Sequence, residues 1–142
     1  MNIQEQIQAY IHSLPEPKQS DMVALHAFIC EIMPKTQLWF LDGKDESGKV
    51  ISNPNIGYGN QDLKYADGSI KSFYKLGISA NTTGISIYLM GLTDKNVLKE
   101  KFGNKLGKVS VTGYCIKFKK LADINLPVLL EVLRFGFEQS GE

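Results

Sequence analysis

The sequence predicts a two-layer α+β domain, with an antiparallel sheet of five to six strands and an N-terminal helix pair and a C-terminal helix packed on it. Three observations predict it. Apolar residues recur at helical spacing at both ends of the chain. The middle changes to period-2 runs punctuated by glycine turns, most densely between Ile56 and Gly91. Within that stretch, Asp67-Gly68 separates two tyrosine-containing runs, a strong hairpin signal.

Ile3, Ile7, Tyr10, Ile11 and Leu14 lie on one stripe of a short first helix that stops before Pro15. A second helix follows the Pro15-Glu16-Pro17 corner, with Met22, Leu25, Ile29, Ile32 and Met33 on its stripe, and ends at Pro34. Leu38-Trp39-Phe40-Leu41 is apolar on both faces, as a central strand would be. Asp42–Lys49 is a polar turn, and Val50-Ile51 begins a short strand. Strands are expected at Ile56–Tyr65, Ile70–Ser79, Ile85–Met90 and Thr112–Lys119, the last with Tyr114, Ile116 and Phe118 on one face. Gly57-Tyr58-Gly59 has no phosphate-loop spacing and predicts a bulge or close backbone packing. Thr93 is the expected N-cap of a helix over Asp94–Phe102. Asp123 or Asn125 caps the last helix, whose core stripe is Leu126, Leu129, Leu130, Leu133 and Phe137.

One domain spanning 1–142 fits the length, and 43% apolar with 22% charged residues is ordinary for a globular protein. The formal charge of +1 predicts no global steering towards nucleic acid or an anionic membrane. Arg134 is the sole arginine, so any basic patch is built of lysine, which suits bidentate phosphate or guanine recognition poorly. The start has no signal-peptide pattern, no segment has ~20 continuous apolar residues, and Cys30 and Cys115 are the only cysteines. A cytoplasmic setting is expected.

Several motifs carry a likeness: Gly57-Tyr58-Gly59, Lys64-Tyr65 before Gly68, Gly77-Ile78-Ser79, Ile87-Tyr88, Leu106-Gly107-Lys108, and Tyr114-Cys115-Ile116-Lys117 followed by Lys120-Leu121-Ala122-Asp123. With the helix–Pro–helix opening that ends in Met33-Pro34, the chain resembles the YdhG-like family, small bacterial domains of unknown function. The resemblance implies a fold similar to frataxin, and iron as a cargo of some relatives. Where relatives tend to carry a basic Pro-Arg-Lys turn, this chain has Ala80-Asn81-Thr82-Thr83.

The chemistry is sparse. His26 and Cys30, four residues apart on a helix, could share a metal but lack a sequence-local third ligand. Carboxylates on the first two helices do not gather on one face, so iron rests on the resemblance alone, and no other cofactor is expected. Cys115 stands beside Lys117 and Lys119, which could activate it, though no histidine is near. Lys64, Tyr65, Lys71, Phe73, Tyr74 and Lys75 interleave base with aromatic. Alternation sends Phe73 and Tyr74 to opposite faces, which argues against nucleic acid. Val128, Val132 and Phe135 lie off the leucine stripe of the last helix and predict a partner interface, including self-association. The leading expectation is a non-enzymatic binding domain for a protein partner or small ligand, with Tyr58, Lys64, Tyr74 and Tyr88 as ligand-binding candidates. A frataxin-like iron chaperone is the alternative. An enzyme with a tyrosine-lined pocket is the third.

Overall fold

The computed structural model describes residues 2–90, 92, 94 and 96–139, the last two by backbone alone. Helix α1 (Ile3–His12) opens with a capping box. The Asn2 side chain accepts from the Glu5 N–H, and the Glu5 carboxylate accepts from the Asn2 N–H. It buries Ile7, Tyr10 and Ile11 of the expected stripe, and α2 (Lys18–Ile32) buries Met22, Leu25 and Ile29.

Eight strands follow: β1 (Leu38–Leu41), β2 (Asn55–Tyr58), β3 (Gln61–Lys64), β4 (Ile70–Phe73), β5 (Leu76–Asn81), β6 (Gly84–Leu89), β7 (Ser110–Thr112) and β8 (Cys115–Phe118). Helix α3 (Val97–Phe102) lies between β6 and β7, and α4 (Leu126–Gln139) closes the chain. Six strands form one antiparallel sheet in the order β1-β2-β5-β6-β8-β7, while β3 and β4 pair separately. Alternation sends Ile56, Tyr58, Leu76, Ile78, Ile85, Ile87 and Ile116 to the helix side, where they form the core with α1, α2 and α4. The predicted α+β class and its layers are those observed.

Turn geometry moved several boundaries. The run expected at Ile56–Tyr65 divides into β2 and β3 at Gly59, whose φ of +84° breaks the ladder. Thr112–Lys119 is not one strand. Thr112 pairs with Cys115 across a two-residue loop in which Gly113 alone has positive φ, the type II′ arrangement. Tyr114 therefore sits half-exposed at a hairpin tip instead of beside buried Ile116 and Phe118. Val50 makes only an isolated bridge to Lys44. The expected Thr93 cap lies outside the described residues, and α3 begins after Asn96.

Two packing expectations are corrected. Leu38–Leu41 is an edge strand, not a central one. Its two apolar faces arise because Phe40 packs on Tyr10, while Trp39 meets Phe73 edge-on and donates its indole N–H to the Gly59 carbonyl at 2.7 Å. On α4 the buried stripe is Leu129, Val132, Leu133 and Gly136, with Leu126 exposed. Gly136 sets that rotation, since a Cβ there would come within 2.8 Å of the Leu89 side chain. Asn125, and not Asp123, accepts from the first turn of the helix, at the Val128 N–H.

The face away from the helices carries one dominant contact. Gly57 and Gly77 stand directly opposite each other on β2 and β5, and the Tyr74 ring lies across both. A Cβ on Gly57 would come within 2.5 Å of that ring, and one on Gly77 within 2.6 Å. Phe73 stacks on Tyr74 at 4.1 Å between centroids, so both aromatics cover this face. The expectation that one of them faces the helices fails because the chain turns out of strand between β4 and β5.

This packing sets a coupled test. Gly57→Ala should cost about 1–3 kcal/mol by overpacking. Tyr74→Ala alone should cost about 3–5 kcal/mol, as the loss of a large buried aromatic does. In the Tyr74→Ala background, Gly57→Ala should become nearly neutral in urea unfolding. Additive effects would break the assignment of the glycine to the ring.

Candidate functional site

The four expected ligand-binding residues do not converge. Tyr58 is fully buried on the helix side of β2, and its hydroxyl is 2.7 Å from Nδ1 of His26 on α2. Tyr74 lies on the opposite side of the sheet over the glycines, with its hydroxyl donating to Asn55 Oδ1 at 3.3 Å. Tyr88 is half-buried on that same outer side, and Lys64 is exposed on β3. Burial raises the Tyr58 hydroxyl well above the ordinary range and lifts Tyr74 to about 12, so both are neutral hydrogen-bonding groups. None of five surface clefts on the described residues has a tyrosine in its wall.

The metal candidates form an internal contact. Cys30 Sγ is 3.8 Å from His26 Nε2, and both side chains are half-buried. Desolvation by burial lowers the His26 imidazole and raises the Cys30 thiol, which keeps both groups uncharged. Among the described residues no group of three or more His, Cys, Asp or Glu side chains could hold a metal ion. Cys115 is likewise raised, first by burial, although Lys117 and a hydrogen bond with Ser86 act against the rise. Burial thus opposes the activation that its lysine neighbours could supply.

The interface expected on α4 is also internal. Val132 is fully buried, Val128 and Phe135 pack against the core, and the Phe135 ring meets Phe102 edge-on at 5.7 Å. The Lys101 ammonium then sits 5.3 Å from the Phe135 centroid. Val132 is thus unavailable to a partner, while Val128 and Phe135 are half-buried.

Lysines dominate one stretch of the chain. Between Asn96 and Lys120 the chain carries seven lysines and a single acid, Glu100. All seven lysines are exposed. Three of them, Lys108, Lys117 and Lys119, line a cleft of about 360 Å³ at the end of the β5–β6 hairpin, with Thr83 and Ile85 on the opposite wall. The register explains the meeting: β6 pairs with β8 so that Ser86 lies opposite Lys117 and Ile85 opposite Phe118, which brings Lys119 beside the 81–84 turn. The turn without basic residues is thus flanked by lysines from β8. Asp123 is the only acid on the cleft wall. Sequence reading missed this surface, although charge counted in windows would have found it.

The buried pair gives a pH prediction. The His26 imidazole lies below its ordinary 6.5 in the folded chain, so the unfolded chain binds more protons once the pH drops below about 6.5. Its contribution to stability is fully present above that pH and is lost as the pH falls through the window beneath it. Urea midpoints should decline from about pH 7 to about pH 5, and His26→Gln should flatten the decline. Equal slopes in the two proteins would assign it to other groups.

No family model matches the chain, and neither does any curated protein or solved structure, which leaves the geometry to carry the functional conclusion.

Proposed function

We propose that this chain is a non-enzymatic binding domain that docks a protein partner through an acidic segment. The carrying observation is the cleft lined by Lys108, Lys117 and Lys119, three of the seven exposed lysines that the chain carries between Asn96 and Lys120. A chain of formal charge +1 with this regional excess presents a local positive potential against a compensating remainder. Lysine ammoniums act as hydrated point charges, which suit flexible carboxylates better than planar bidentate recognition. Phe73 and Tyr74 are half-buried or buried, and the exposed tyrosines, Tyr65 and Tyr114, stand on separate hairpin turns and not on one stacking platform.

Catalysis has little support. Three enclosed titratable groups, His26, Cys30 and Tyr58, are held neutral, with His26 in contact with each of the other two. The arrangement of helices on one antiparallel sheet supports the YdhG-like resemblance, and a cytoplasmic setting would keep Cys30 and Cys115 as the free thiols they are. No helix of the described residues is long and apolar enough to cross a membrane.

The test uses poly-L-glutamate as the probe. Affinity should fall steeply with added salt, since exposed charges are screened beyond about 8 Å at physiological ionic strength. The Lys108→Glu, Lys117→Glu, Lys119→Glu variant should bind about tenfold more weakly or worse, whereas reversing Lys35, Lys44 and Lys64 should leave affinity within about twofold. Equal losses from the two triple variants would remove the site.

A further inference from the structure

We propose that a second copy of this chain docks along the groove between α2 and α4, forming a two-fold dimer in which Glu31 of each copy meets Arg134 of the other. This contact shares no residue with the lysine cleft above. The two helices lie side by side and run in the same direction. The Asp21 carboxylate near the start of α2 accepts from the Leu121 N–H just ahead of α4. Further along, Phe28, Glu31 and Ile32 share a cleft of about 250 Å³ with Leu130 and Arg134. A surface helix ordinarily turns charge to solvent. The exposed residues of α2 are instead Ser20, Val23, Ala24 and Ala27, with Glu31 as their one charge.

Composition sets this face apart from the rest of the surface. No lysine occurs between Lys18 and Lys35 or after Lys120, whereas lysines are spread over the rest of the chain, and the cleft holds the sole arginine. Lysine depletion, with an arginine and an aromatic in place, is the pattern of a protein–protein contact. Charge then names the occupant. Glu31 stands on the α2 wall and Arg134 on the α4 wall, both exposed. Neither makes an ion pair or a hydrogen bond among the described residues. A groove with one acid on one wall and one base on the other is complementary to itself. A two-fold axis running along the groove lays α2 of each copy on α4 of the other, so both Glu31–Arg134 pairs form at once. The same rotation sets Ala24 and Ala27 against Leu126 and Leu130, small side chains against large ones, which lets the helices approach closely.

Sedimentation equilibrium of the full chain tests the pairing. Glu31→Arg and Arg134→Glu each set like charges together twice in the dimer. Each variant alone should therefore self-associate about tenfold more weakly than the wild type, or worse. Mixed in equal amounts, the two variants should form a one-to-one dimer within about threefold of wild-type affinity, because each arginine again meets a glutamate. Ala27→Lys places an ammonium on the same face and should also weaken the dimer, with an unchanged circular dichroism spectrum. Wild-type self-association in both charge variants overturns the pairing. So does a mixture that associates no better than its separate components, the result expected if the two charges act only within one copy. A wild-type chain that stays monomeric at about 1 mM overturns the second copy as the occupant of the groove.

Discussion

The Tyr74 ring lying over Gly57 and Gly77 is the contact on which the outer half of this structure depends. Two glycines directly opposite each other on adjacent strands leave a trough in the sheet surface, and an aromatic ring fills it. Any side chain at either position would lift the ring. Tyr74 in turn anchors the β3–β4 hairpin, because Phe73 stacks on it and Trp39 meets Phe73 from the edge strand. The outer sheet face is thereby divided. Its β1–β2–β5 half is closed by aromatics, and its β6–β8–β7 half carries Ser86, Cys115, Lys117 and Ser110.

On the other side, hydrogen bonds fix how the helices sit on the sheet. Tyr10 of α1 accepts from the Ala80 N–H of β5 at 2.9 Å, seventy residues away in sequence. His26 of α2 meets Tyr58 of β2, and the Asp21 carboxylate accepts from the Leu121 N–H. Apolar burial alone would tolerate a helix sliding along its groove, whereas each of these pairs is made in one placement only. No buried side-chain polar atom among the described residues lacks a partner, so this orientation leaves no buried polar group unsatisfied.

The helices were legible in the sequence because their signal is local. Ile7, Tyr10 and Ile11, or Met22, Leu25 and Ile29, report a buried face through spacing alone. Strand existence was also legible, but strand ends were not. Nothing in an alternating run marks where backbone conformation changes, as at Gly59, at Tyr74-Lys75 or at Gly113. The Gly113-Tyr114 loop left a real signal, a glycine at the first position of a two-residue turn, masked by apparently unbroken alternation. The candidate site was illegible for a different reason. Thr83, Lys108, Lys117 and Asp123 meet only through sheet register, and a total charge near zero concealed a regional excess. Tyrosines attracted notice instead, because burial cannot be read from residue type.

A free sheet edge is a hazard that charge commonly restrains, and β7 lies in the most basic part of this chain. Lys108 before β7 and Lys117 across from Ser110 place positive charge near that edge, and such charge opposes its pairing with an identical edge. On α4, Val132 is buried in the core and Phe135 packs edge-on against Phe102, so these off-stripe residues contribute to internal packing.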